Sequence, residues 1–113
     1  MPVVTEGFRI VKGEPKGWHH LSPSGAEVTS WFCGVCGTRI YGSRGSRPEM
    51  MNLRAGTLDD TKWLVPAMHM FTTSAQGWVK PAEGAECHGT APEDFLSAAK
   101  AWRAMWGEFF PQR

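Results

Sequence analysis

The stretch Phe32-Cys33-Gly34-Val35-Cys36-Gly37-Thr38-Arg39-Ile40-Tyr41 constrains this chain more than any other. Two cysteines at C-x-x-C spacing bring two thiolates toward one point. The glycine after each frees backbone N–H groups to turn toward the sulfurs, because positive φ costs glycine little. This is how a zinc knuckle is built, and it makes Cys33 and Cys36 the candidate metal ligands. One rival is a redox dithiol, which opens a helix so that the helix N-terminus lowers the first thiol's pKa. Gly37 follows the second cysteine at once, and Thr38 to Tyr41 reads as strand, so the knuckle is favoured. The remaining alternative is a pair of inert thiols.

A knuckle supplies two ligands, whereas a closed structural zinc site has four. The other soft or imidazole donors are Cys87, His19, His20, His69 and His88. Either some of these complete the shell, or a second chain does, or no metal is held. His69 stands among apolar residues, where a hydrogen-bonded core histidine is commoner than a ligand. Cys87-His88 reads as part of a surface loop with an incidental thiol rather than as a ligand pair.

The chain has 113 residues, of which 12 are Lys or Arg and 11 are Asp or Glu, a net charge of +1. No basic block marks a nucleic-acid surface, and no apolar run reaches the length of a membrane span. The expectation is a cytoplasmic protein with neither nucleic acid nor membrane as partner. Three cysteines, two of them in C-x-x-C, make a poor disulfide framework. Six tryptophans and six phenylalanines, broken up by thirteen glycines and eight prolines, favour short strands.

In order, strands are predicted at Phe8–Lys12, at Gly17–Leu21, at Glu27–Phe32 leading into the knuckle, and at Thr38–Tyr41 returning from it. Val3 and Val4 resemble the end of a strand. Gly42–Pro48 reads as a flexible loop between strands, the sharper alternative being an anion held by Arg44 and Arg47. Glu49–Ala55 is a further strand, closed by a turn at Gly56–Asp60. Pro66–Thr72 is another, and a short extended piece ends at Trp78. Thr90-Ala91-Pro92-Glu93 fits a capping box. Phe95, Ala99, Trp102, Trp106 and Phe109 follow at helical spacing on one apolar face. That face predicts docking on the domain's own sheet, with a homodimer contact as the alternative. The organisation expected is a β domain over 1–80 and a loop with an amphipathic helix over 81–113.

The order F-C-x-x-C-G-T-x-[IL]-Y at Phe32–Tyr41, G-T-L-D-D at Gly56–Asp60, P-x-x-H-x-F at Pro66–Phe71 and then Trp78 resembles the glutathione-dependent formaldehyde-activating enzyme family, which includes centromere-protein-V-like proteins. The resemblance runs from about Phe8 to Trp78. It implies small twisted antiparallel sheets of the β-tent type, completed here by the C-terminal α-helix. It also implies a structural zinc held by an early C-x-C pair together with a later C-x-x-C, here Cys33 and Cys36. The family's second, catalytic zinc sits on a C-H-C-x-x-C segment, and neither that segment nor the early C-x-C occurs in this sequence. The expectation is therefore a chain that opens inside a longer family member. It is a carbon–sulfur lyase by type, acting on a small glutathione adduct, and inactive for want of catalytic zinc ligands. Its catalytic residues are unassigned. The alternatives are a non-catalytic zinc-knuckle module binding another chain through Trp102 and Trp106, and a redox-sensing dithiol.

Overall fold

A computed structural model describes residues 1–106, apart from the side chains of Phe95, Ala98, Trp102, Met105 and Trp106. The chain divides into two compact units, Met1–Trp63 and Leu64–Arg113. It is mainly β, as the sequence predicts, with seven short strands and one helix among the described residues. No helix among them is long and apolar enough to cross a membrane.

The first unit is one antiparallel sheet. Its strands are β1 (Pro2–Val4), β2 (Lys16–Leu21), β3 (Glu27–Phe32), β4 (Arg39–Arg44) and β5 (Met50–Leu53), in the spatial order β1-β5-β4-β3-β2. The β2–β3 register runs from Lys16 opposite Phe32 to Leu21 opposite Glu27. It is closed by a turn in which Gly25 takes φ +81°. The β3–β4 hairpin slips by one residue between Trp31 and Phe32, leaving Ile40 as the extra residue. Such a bulge sharpens the local twist just before the knuckle. β1 closes the far edge, with Val3 opposite Met51.

Val28, Trp31, Tyr41 and Met51 are the residue types such a sheet needs. Trp31 and Tyr41 face each other across the hairpin and stack with centroids 5.7 Å apart, and Phe8 tilts onto Tyr41 at 4.9 Å. Burial holds the Tyr41 phenol above its usual pKa. The Trp31 indole N–H donates to Ser43 Oγ at 2.9 Å. The core is thin. Met51 is the one buried hydrophobic side chain among those described, while Leu21 is 67 % exposed and Trp18 53 %.

Several elements differ from expectation. Phe8–Lys12 forms no strand: β1 already holds the β5 edge, and a strand without a partner leaves its backbone groups unpaired. β4 runs on through Arg44, and the predicted loop narrows to a turn in which the Arg47 N–H donates to the Arg44 carbonyl at 3.1 Å. Gly56–Asp60 is replaced by a 3₁₀ turn at Ala55–Thr57.

In the second unit, Pro66–Thr72 shortens to β6 (Met68–His69), because Phe71 adopts φ 57°, ψ 35°, left-handed backbone that ends an extended run. β6 pairs in parallel with β7 (Glu86–Cys87), and Trp78 lies outside any strand. The helix α1 (Phe95–Trp106) starts later than the capping box predicts. The Thr90 carbonyl is occupied by the Phe71 N–H at 3.3 Å, and residues 89–94 form bends rather than a helical turn. Asp94 takes over the cap, its Oδ1 accepting from the Leu96 N–H at 2.8 Å. The expected apolar helix face rests on Phe95, Trp102, Trp106 and Phe109, whose side chains lie outside the described set.

Candidate metal centre

The C-x-x-C loop is the tip of the β3–β4 hairpin. The Gly37 N–H donates to the Cys33 carbonyl at 2.9 Å, and the Cys33 N–H donates to the Thr38 carbonyl at 2.9 Å. The first bond closes a single turn over Cys33–Gly37, and Gly37 at φ +76° reverses the chain into β4. Only glycine takes that conformation at small cost. The turn places Cys33 and Cys36 on a shared tip, between the two backbone bonds that close it. The tip is open: Gly34 to Arg39 are all exposed, and Val35 is 97 % exposed.

Two further residues, unremarked by sequence reasoning, complete the local chemistry. The Thr38 hydroxyl and the Cys36 sulfur share a hydrogen bond at 3.1 Å. That bond first, then the Thr38 backbone and the Cys33 side chain, lowers the Cys36 pKa below the ordinary thiol value. The sequence signal was present, since Thr38 stands two residues after Cys36. The second is Lys16. A Cβ at Gly34 would fall 2.9 Å from Lys16 Cε and 3.1 Å from Cδ, so the lysine stem lies directly against the knuckle. Only the β2–β3 register, with Lys16 opposite Phe32, brings them together.

Within the first unit, the other candidate donors do not join the tip. His19 Nδ1 pairs with Thr29 Oγ1 at 2.8 Å, and His20 stacks on Trp18 with centroids 4.2 Å apart. In the second unit, His88 Nε2 meets Glu86 Oε1 at 2.7 Å, an i, i+2 contact that extended backbone at Glu86-Cys87-His88 makes possible. Cys87 is exposed and registers beside His69. His69 is half-buried, and its Nε2 has no hydrogen-bond partner among the described residues, where the sequence predicts a hydrogen-bonded core histidine. Among the described residues, no group of three or more His, Cys, Asp or Glu side chains could hold a metal ion. The donor set at the tip therefore fits half of a four-ligand shell: two soft thiols, pre-set by the turn, on which zinc is commonly held.

A family model described as glutathione-dependent formaldehyde-activating enzyme matches residues 1–74, which take in all five strands of the first sheet and the knuckle. The comparison with curated proteins returned no match, nor did the comparison with solved structures.

Proposed function

Because the chain belongs to the glutathione-dependent formaldehyde-activating enzyme family, we propose that it is a zinc-knuckle domain of the carbon–sulfur lyase type that holds its metal through Cys33 and Cys36 and does not by itself turn over glutathione adducts. The observation that carries this reading is the tip itself. Gly37 in left-handed backbone, the two backbone hydrogen bonds around Cys33 and the Thr38 hydroxyl on Cys36 arrange a thiol pair for metal rather than for a helix-capped redox cycle.

The family chemistry is addition or lysis at the carbon–sulfur bond of a glutathione adduct. Zinc, when bound at an open site, lowers the pKa of a coordinated thiol and polarises a carbonyl. An open site of the C-H-C-x-x-C kind needs three cysteines, and this sequence has three in all, two of them in the knuckle. The two thiols at the tip are a structural pair. Their role is to tie β3 to β4, and no acid–base role is assigned to any side chain.

Two measurements test the reading. Zinc should co-purify with the protein and be lost in Cys36→Ser. Formation of the hemithioacetal from glutathione and formaldehyde, followed by NMR exchange, should proceed at the uncatalysed rate with or without the protein. Acceleration by the zinc-loaded chain would overturn the inactive part of the reading, and a metal-free wild-type protein would overturn the knuckle.

A further inference from the structure

The P-x-x-H-x-F stretch at Pro66–Phe71 ends in a backbone that its own alternation does not predict. Phe71 takes φ 57°, ψ 35°, with its side chain 54 % exposed. Left-handed backbone is costly for any residue with a Cβ, and a bulky one rarely adopts it. We propose that the end of β6 is a two-state register switch. The observed, slipped state exchanges with an in-register state, in which β6 runs on through Phe71 and the ring moves to the His69 side of the strand.

The hydrogen bonds locate the slip. Along the parallel β6–β7 ladder, the Glu86 N–H donates to the Ala67 carbonyl at 3.3 Å and the His88 N–H to the His69 carbonyl at 2.8 Å. The next bond of an evenly spaced parallel ladder runs from the Phe71 N–H to the His88 carbonyl. Instead the Thr72 N–H donates to that carbonyl at 3.1 Å, and the Phe71 N–H donates to the Thr90 carbonyl at 3.3 Å. One residue is therefore extra, and it is the left-handed one. In the in-register state Phe71 stands opposite Gly89, two places on from His69 opposite Cys87. Alternation then puts Phe71 on the same side as the half-buried His69.

Two threonines hold the slipped state against its backbone cost. The Thr72 hydroxyl donates to the His88 carbonyl at 3.0 Å, and the Thr73 hydroxyl donates to the Gly89 carbonyl at 2.7 Å. The net worth of two such bonds and the cost of one left-handed residue are of the same order, so neither state wins by much. The sequence leans toward the other state, because Pro66–Thr72 alternates as a strand and the β-branched Thr72 and Thr73 favour extended backbone. Gly89 is the further requirement of the clamp. A Cβ there would fall 3.1 Å from Thr73 Cγ2, although the Gly89 backbone is not left-handed.

The switch decides whether an aromatic ring stands outside or inside at the end of the family-matched region. Phe71 to Thr73 lie within the matched residues 1–74, and the carbonyls of His88 to Thr90 that hold them lie beyond it. The segment after the matched region thus controls how that region ends.

The test is NMR of the full chain. Phe71 Cα and Cβ shifts separate left-handed from extended backbone, and relaxation dispersion of the amides at 69–73 and 86–90 reads exchange on the μs–ms scale. Wild-type protein should show one exchange process shared by both segments. Phe71→Gly removes the left-handed cost, so it should lower the in-register population about tenfold and quench the exchange. Gly89→Ala should do the reverse and move Phe71 to extended shifts. Adding Thr73→Ser, which keeps the hydroxyl and removes Cγ2, should restore the wild-type balance. Left-handed Phe71 shifts retained in Gly89→Ala overturn the proposal. Unfolding of the second unit in Gly89→Ala also overturns it, since no second register has then taken up the chain.

Discussion

The Thr38 hydroxyl lies 3.1 Å from the Cys36 sulfur, at the turn between the knuckle and β4. A hydroxyl that donates to sulfur favours the thiolate over the thiol, and the Thr38 backbone and the Cys33 side chain act in the same direction. In metal-free protein Cys36 should therefore alkylate with a pH midpoint below that of an ordinary exposed thiol. Thr38→Val removes the largest contribution and should move the midpoint upward. Peptide mapping of iodoacetamide adducts across a pH series reads Cys36 separately from Cys33 and Cys87. An unchanged midpoint in the variant would mean that the hydroxyl is not the group that sets it.

The two glycines of the knuckle are there for different reasons, and alanine separates them. At Gly37 a Cβ would meet nothing within 4 Å, but φ is +76°, so Gly37→Ala should cost about 1 kcal/mol in backbone strain alone. At Gly34 the backbone is ordinary and the Cβ meets the far end of the Lys16 chain, which can swing aside. Gly34→Ala should therefore cost less in stability than Gly37→Ala. Urea titrations of both variants check the order, and the reverse order would contradict the turn geometry.

Gly17 presents a third situation. A Cβ there would lie 3.0 Å from Trp31 Cζ3 and 3.1 Å from Thr29 Cγ2. An indole fixed by its bond to Ser43 and its stack on Tyr41 cannot yield as a lysine tip does. Gly17→Ala should destabilise the sheet by roughly 1–3 kcal/mol, as overpacking does. The thermal midpoint of the variant measures it, and a wild-type midpoint would show that the Trp31 ring has room to move.

The parts of this fold that were legible in the sequence are those fixed by neighbours along the chain. Glu27–Phe32 alternates and ends in a glycine-flanked cysteine turn, and its observed bounds are the predicted ones. The turn at the hairpin tip was legible because C-x-x-C-G carries its own backbone chemistry. What was not legible depends on pairing across the chain. Phe8–Lys12 has a strand's alternation but pairs with no strand of the sheet, and Lys16 reaches the tip only through its register with Phe32. Phe71 stops β6 by a backbone conformation that no side-chain pattern announces.

Metal binding couples to folding when the ligands sit at a hairpin tip. The bulge at Ile40 and the turn over Cys33–Gly37 are the least regular parts of the β3–β4 pair. Zinc removal by a chelator should therefore lower the thermal midpoint of the wild-type protein. Cys36→Ser should show the lower midpoint from the outset and be indifferent to chelator. An unchanged wild-type midpoint after verified metal loss would mean that the sheet holds without the staple.

The start of α1 offers a prediction in which sequence and structure disagree about a single residue. The spacing of Thr90 and Glu93 fits a capping box, which would start the helix at Ala91. The observed helix starts at Phe95, with Asp94 Oδ1 accepting the Leu96 N–H at 2.8 Å and the Ser97 hydroxyl donating to the Asp94 carbonyl at 2.8 Å. Thr90 is engaged elsewhere, its carbonyl accepting from Phe71. An N-cap side chain satisfies an amide that otherwise has no partner, and replacing it with alanine typically costs about 1 kcal/mol. Asp94→Ala should therefore lower helix content by far-UV circular dichroism and advance the first stage of thermal unfolding. Thr90→Val keeps the backbone carbonyl and removes only the hydroxyl, so it should leave the helix signal unchanged. A loss of helix in Thr90→Val with none in Asp94→Ala would restore the capping box and move the start of α1 back to Ala91.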